Sequence, residues 1–348
     1  MFSRVPKGKL RDGQKMNQPA DDVHVIATPA RTVDTMRVKA AFALALMMSL
    51  VSLAEPADKT VWTVGVFNGS SSEFAGTDPH AAVHFVVGQD QSRTAWYAFA
   101  PVVWAGKPTD PASAPRAIDF SISGKPERAY RLKVSLLIEH SSVPALRVGI
   151  DGRLGTFYLH PRLDYNMGDM VAAFYPAYAR AEVEVDFPGS WLKTGINSIS
   201  FQAIPTSEKG VPDAGFEYDA IELQQVDSVT AAVSAHVEPT IFFQKQGASI
   251  NERVDVFVRY GRRPRSGRVE LTAAGHTFRL PLHADQDFGE ERIPFEIPEF
   301  APDTQAKLTV VVNGHAAHVQ ETLQPQKKWT LFLVPHVHLD VGYTALSP

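Results

Sequence analysis

The residues whose types and spacing could do chemistry stand in Trp329-Thr-Leu-Phe-Leu-Val-Pro-His336-Val-His338-Leu-Asp340-Val-Gly342-Tyr343. An apolar run leads into two histidines and an aspartate at alternate positions. Alternate side chains of an extended chain point the same way, so His336, His338 and Asp340 would converge. Imidazole and carboxylate together suit Zn²⁺, and a catalytic zinc site takes three or more protein ligands with one position open. His-x-His-x-Asp is therefore at most part of a site. The alternative is a pair of histidines making ordinary hydrogen bonds at a strand end.

The elements that would position these residues are of two kinds. The run Trp329 to Val334 is continuously apolar, as in a strand buried on both faces of a parallel sheet. In α/β barrels the functional residues sit at the C-terminal ends of such strands. Residues 329–348 are accordingly expected to be the first strand of an α/β barrel whose remainder is absent from this chain. Everything between the leader and this strand reads as β-structure with period two. Tyr130 to Ile138 places Leu132, Val134, Leu136 and Ile138 on one face, with Arg131, Lys133 and Ser135 on the other. Glu182 to Phe187 alternates equally cleanly, and turn residues such as Asp151-Gly152 and Pro188-Gly189-Ser190 punctuate the strands. Many short strands with turn punctuation predict antiparallel sandwiches or jelly rolls.

Two such modules are expected. Residues 60–226 form the first. Residues 227–325 form the second, with about seven short strands, an Asn313-Gly314 hairpin turn and an immunoglobulin-like sandwich as the predicted fold. The fold class is thus mainly β: a galactose-binding-like jelly roll, then an immunoglobulin-like sandwich, then the first strand of the absent barrel.

Composition bounds the partners. The formal charge is −4, divided as +4 over residues 1–54 (eight Lys/Arg, four Asp/Glu) and −8 over the rest (26 against 34). An acidic body argues against nucleic acid as a partner. The arginines 259, 262, 263, 265 and 268 surround Gly261, Pro264 and Gly267, and read as a solvated hairpin loop. His276, His283, His315 and His318 are scattered over strand and turn positions and read as surface residues. With no cysteine in the chain, disulfides, thiolate zinc sites and cysteine nucleophiles are excluded.

Met36-Arg37-Val-Lys39, the uncharged run Ala40–Leu53 and the small residues Ser52 and Ala54 form n-region, h-region and cleavage site in order. A run of fourteen residues falls short of the ~20 needed to span a bilayer. Met36–Ala54 is therefore expected to be a signal peptide, the protein secreted or periplasmic and without a membrane span after cleavage. Residues 1–35, which show no pattern, are expected to be a disordered extension that is not native.

Three segments give the first module a family likeness: Trp62-Thr-Val-Gly65-Val-Phe67-Asn68-Gly69, Leu192 to Phe201, and Phe216-Glu-Tyr218-Asp219-Ala-Ile221-Glu-Leu223. Together they resemble the carbohydrate-binding-like sandwich of rhamnogalacturonan lyases. That resemblance implies a polysaccharide or oligosaccharide partner and a structural role for the closing Tyr-Asp-x-Ile-x-Leu strand. Sugar faces stack on aromatic rings, which nominates Trp96, Trp104, Tyr165 and Trp191; Trp62 is assigned to the core. The segment Asp164 to Asp169 lacks the ligand spacing of a known calcium loop and reads as solvated.

Val334-Pro-His336-Val-His338-Leu-Asp340-Val-Gly342-Tyr343 resembles the first barrel strand of glycoside hydrolase family 38, the α-mannosidases, whose pattern is Pro-His-x-His-x-Asp-x-Gly-Trp. The resemblance implies that His338 and Asp340 are zinc ligands, that His336 supports them, and that Tyr343 replaces a tryptophan beneath the sugar. The remaining ligands and the nucleophile of that family lie beyond this segment, so the chain by itself is expected to be inactive. His-Val-His-Leu-Asp is also similar to the opening of adenosine-deaminase-like amidohydrolases, where Gly follows the aspartate directly. A stand-alone carbohydrate-binding accessory protein is the reading from a different class.

Overall fold

The computed structural model describes residues 58–74, 83–102, 115–138, 143–160, 162–163, 179–206, 215–229, 232–328, 330 and 332. The leader, Trp104, Tyr165, the Asp164–Asp169 segment and the motif from His336 to Tyr343 lie outside them. Among the described residues the protein is mainly β, with one helical turn at Ser92–Ala95 and one 3-10 turn at Gly189–Trp191.

The predicted alternation is what builds the strands. In β9 (Ala179–Pro188) Ala179, Ala181, Val183, Val185 and Phe187 are buried while Arg180, Glu182 and Glu184 face solvent. The first sheet runs in the order β1 (Lys59–Gly65), β11 (Gly215–Val226), β5 (Ala129–Ile138), β9 and β8 (Arg162–Leu163), with β3 (Phe99–Pro101) added against β11. Its opening and closing motifs are neighbours, because β1 pairs antiparallel with β11 through Trp62↔Leu223 and Val64↔Ile221.

The facing sheet contains β7 (Arg153–Tyr158), β6 (Ala145–Ile150), β10 (Gly195–Ile204), β4 (Arg116–Ile122) and β2 (His84–Val86) in that order. The two sheets share one apolar core, which includes Trp62, Ile118, Leu132, Val148, Phe187, Phe201 and Tyr218.

A second core lies between β12 (Val233–Gln246), β13 (Ser249–Tyr260) and β16 (Phe288–Pro298) on one side and a four-stranded sheet on the other. That sheet runs β15 (His276–Pro281), β14 (Gly267–Ala273), β17 (Thr304–Val312), β18 (His315–Leu323). The Asn313-Gly314 pair joins β17 to β18 with φ of 51° and 86°, the positive values that a tight hairpin turn demands. The loop 261–266 carries Arg262, Arg263 and Arg265 at the exposed surface, but it is not the expected hairpin: it crosses from β13 in one sheet to β14 in the other.

The two sandwiches are joined edge to edge. β16 pairs parallel with β7 (Phe288↔Gly155, Gly289↔Thr156), so one eight-stranded sheet runs through both. The rest of the β7 edge is satisfied by side chains from the second sandwich. Asp287 Oδ2 accepts from the Leu154 N–H at 3.1 Å, Gln286 Oε1 from Thr156 at 2.7 Å and Glu290 Oε2 from Tyr158 at 3.0 Å. An edge strand with free N–H groups is a liability, and these three side chains cap it. Phe288 belongs to β16 but inserts its ring into the first core, 6.1 Å from Phe157 and 4.9 Å from Trp191. Gly155 permits that approach: a Cβ there would lie 2.5 Å from the Phe288 ring.

Of residues 329–348 only Thr330 and Phe332 are described; both lie outside any strand, and Phe332 is 84% exposed.

Candidate functional site

Of the aromatic residues nominated for sugar stacking, Trp96 and Trp191 can be placed. Trp96 is a correction. It is fully buried, meeting Phe85, Phe201 and Tyr218 edge-on at 6.3, 6.1 and 5.2 Å. A large apolar ring between two sheets gains more from burial than from a partly wetted surface, and Trp96 has no face to offer a ligand. Trp191 is half-buried. Its ring stacks on Phe187 at 5.7 Å and 13°, tilts against Phe288, and carries the Arg153 guanidinium at 5.4 Å. It is engaged by protein partners rather than held open as a platform. Trp62, expected in the core, is buried.

The aspartate of the closing motif carries four hydrogen bonds from protein donors. Asp219, on β11, is buried and accepts from the backbone N–H of Asn68, Gly69 and Ser70 at 3.1, 2.8 and 3.3 Å. Its second oxygen accepts from Ser135 Oγ at 2.8 Å. Ser135 was placed by alternation on the outer face of β5, yet it is buried. Burial of its hydroxyl is tolerated because the carboxylate partners it. The motif thus pins the loop that follows β1.

Two constellations could meet a ligand. The first is a cleft of about 970 Å³ between the sandwiches. Its first-sandwich wall includes Glu184 and Asp186, and its opposite wall Arg259, Arg262, Arg265 and Asn313. Asp186 is held by Arg131, which donates to both carboxylate oxygens at 2.7 and 3.1 Å and whose own pKa is raised by that bond. Arg259 donates to the Glu184 carbonyl at 3.3 Å and lies 5.1 Å from the Phe157 ring centre. Among the described residues no carboxylate lies within ion-pair distance of Arg262 or Arg265. The floor is apolar, from Phe157, Tyr260 and Phe288, all themselves buried. The Glu184 carboxylate facing the Arg262 and Arg265 guanidinium donors over an apolar floor matches the mixed hydrogen-bonding demand of a polyhydroxylated ligand.

The second constellation is His160, just beyond β7, with His236 and Glu238 on β12. Glu238 Oε1 lies 2.9 Å from His160 Nδ1 and 3.3 Å from His236 Nε2. The two histidines hold the Glu238 carboxyl down at about 2, and Glu238 in turn raises His160. Phe257 supports both rings, 4.6 Å from His160 edge-on and 5.0 Å from His236 in a stack. No sequence motif joins these three residues. His236-x-Glu238 offered a period-two pair, but its third member is 76 positions away and meets it through the fold alone.

Residues 60–223 match the family model described as CBM-like, polysaccharide lyase family 4, domain III. No curated protein matches the chain. Solved structures with partial likeness include a GH2 β-galacturonidase from Eisenbergiella tayi (13% identity, 59% of this chain, 34% of that one, TM-score 0.22). Others are the exo-chitosanase CsxA of Amycolatopsis orientalis (13%, 61% and 26%, 0.23) and a β-D-mannosidase from Dictyoglomus thermophilum (10%, 61% and 29%, 0.24). The chain spans about a third or less of these structures, and TM-scores of this size establish no common fold.

Proposed function

We propose that this chain is the carbohydrate-binding portion of an exported, zinc-dependent glycoside hydrolase resembling the α-mannosidases, with the inter-sandwich cleft as its glycan contact. The observation that carries the reading is the match of residues 60–223 to a CBM-like polysaccharide lyase domain. The cleft adds a surface of suitable chemistry, with the exposed Glu184 carboxylate to accept from hydroxyls and Arg262 and Arg265 at its rim to donate to them. The zinc-dependent part rests on the likeness of His336-Val-His338-Leu-Asp340 to a barrel strand. There His338 and Asp340 would ligate the ion, which would orient substrate hydroxyls. The export part rests on Met36–Ala54.

Affinity gel electrophoresis of the full chain in rhamnogalacturonan or mannan tests the binding claim. Retardation should occur in at least one polymer and be relieved in the R262A/R265A double variant. Retardation equal in wild type and variant would remove the cleft from the account, and none in any polymer would remove carbohydrate binding altogether.

A further inference from the structure

We propose that His160, His236 and Glu238 form a binding site for a divalent transition-metal cation of the zinc class, and that the ion clasps the two sandwiches together. Two imidazole nitrogens and one carboxylate oxygen are a donor set that zinc accepts, with a fourth position left for water or another ligand. The spacing suits it. A tetrahedron with metal–ligand bonds of ~2.0–2.1 Å has edges of ~3.3 Å, and the Glu238 oxygen already lies 2.9 and 3.3 Å from the two nitrogens. All three ligand atoms fall within 4.8 Å of one another, so small side-chain rotations close the third edge. The side chains are partly exposed, at 34%, 37% and 44%, which leaves an entry path for the ion.

The site is also held in place. Phe257 on β13 packs against both rings and restricts them, and His236 and Glu238 are two apart on one strand, so they share a face. His160 comes from the chain leaving β7, the very strand whose edge the second sandwich caps through Asp287, Gln286 and Glu290. A bound ion would therefore tie the far end of the same joint. Ligands contributed by both sandwiches, brought together only in the native state, make binding free energy into joint stability.

The site does not depend on the carbohydrate reading and uses residues other than His338 and Asp340, and the experiment tells the two apart. Untagged full-length protein, stripped with chelator, is titrated with Zn²⁺ by calorimetry alongside H160A, H236A, E238Q and the H338A/D340A double variant, with circular dichroism confirming the fold of each. The expected result is a zinc-binding event retained in H338A/D340A and weakened at least tenfold in each of the three others. Saturating zinc should raise the Tm of the wild type by roughly 5 °C or more and leave that of E238Q unmoved. Should H160A fail to fold, E238Q and H236A carry the test, since both positions are partly exposed on a strand. No zinc binding, binding unchanged in the cluster variants, or binding abolished by H338A/D340A alone would each overturn the proposal.

Discussion

Asp219 gathers three backbone N–H groups and the Ser135 hydroxyl on one buried carboxylate, so single-residue changes are read most sharply there. Replacing it by alanine strands those donors, and urea denaturation should show a loss of about 2–3 kcal/mol. The D219N variant, which keeps one acceptor oxygen, should lose less. Equal stability of D219A and wild type would show that the loop after β1 is not pinned as described.

Glu252 gives the pH dependence. It is buried on β13, and burial raises its carboxyl pKa above 4.5; the Gln326 backbone N–H lowers it, Glu299 raises it and Lys328 lowers it again. A folded-state pKa above the unfolded value means the native protein holds the extra proton. Stability from this group is therefore full below about pH 4.5 and is lost as pH rises through the folded pKa. The E252Q variant has no such loss, so its Tm relative to wild type should climb between pH 4 and pH 7. A difference that stays constant with pH would contradict the assignment.

At the scale of elements, the joint between the sandwiches was invisible in the sequence. Alternation in β9 and β17 reveals which residues face a core, because burial there follows period two. It says nothing of which strand edges meet. Gln286, Asp287 and Glu290 look like ordinary loop and strand polars, yet each accepts from a backbone N–H of β7, some 130 residues away in sequence. Phe288 likewise reads as a residue of its own sandwich but fills the core of the other. Trp96 failed as a stacking candidate for a related reason: local sequence marks an aromatic beside a turn but not the two sheets that close over it.

The joint yields its own expectations. Phe288→Ala removes a buried ring from the first core and should cost about 3–4 kcal/mol. Because Phe288 is shared, calorimetry should show the single unfolding transition broadening or splitting in two. Glu290→Ala leaves the Tyr158 N–H without its acceptor and should cost about 2 kcal/mol. A loss in F288A with one sharp transition would show that the cores are coupled by something other than this ring.

For the whole molecule, the mainly β architecture and the resemblance of the first module to a polysaccharide-lyase sandwich were both legible. Strand periodicity, turn residues and the Trp62–Gly69 and Phe216–Leu223 motifs are local signals. The cleft and the His160–His236–Glu238 cluster were not, since both are made by bringing two sandwiches side by side. At this scale also stands the proposal of export: N-terminal sequencing of the secreted protein should return Glu55 as first residue, and an intact Met36–Ala54 would contradict it. The central claim is that the paired sandwiches bind carbohydrate in the cleft between Glu184–Asp186 and Arg262–Arg265. Isothermal titration of the full chain with the oligosaccharides of rhamnogalacturonan and of mannan tests it most directly. The account predicts saturable binding of at least one, weakened tenfold or more in R262A/R265A; heat flow indistinguishable from dilution for every oligosaccharide would contradict it.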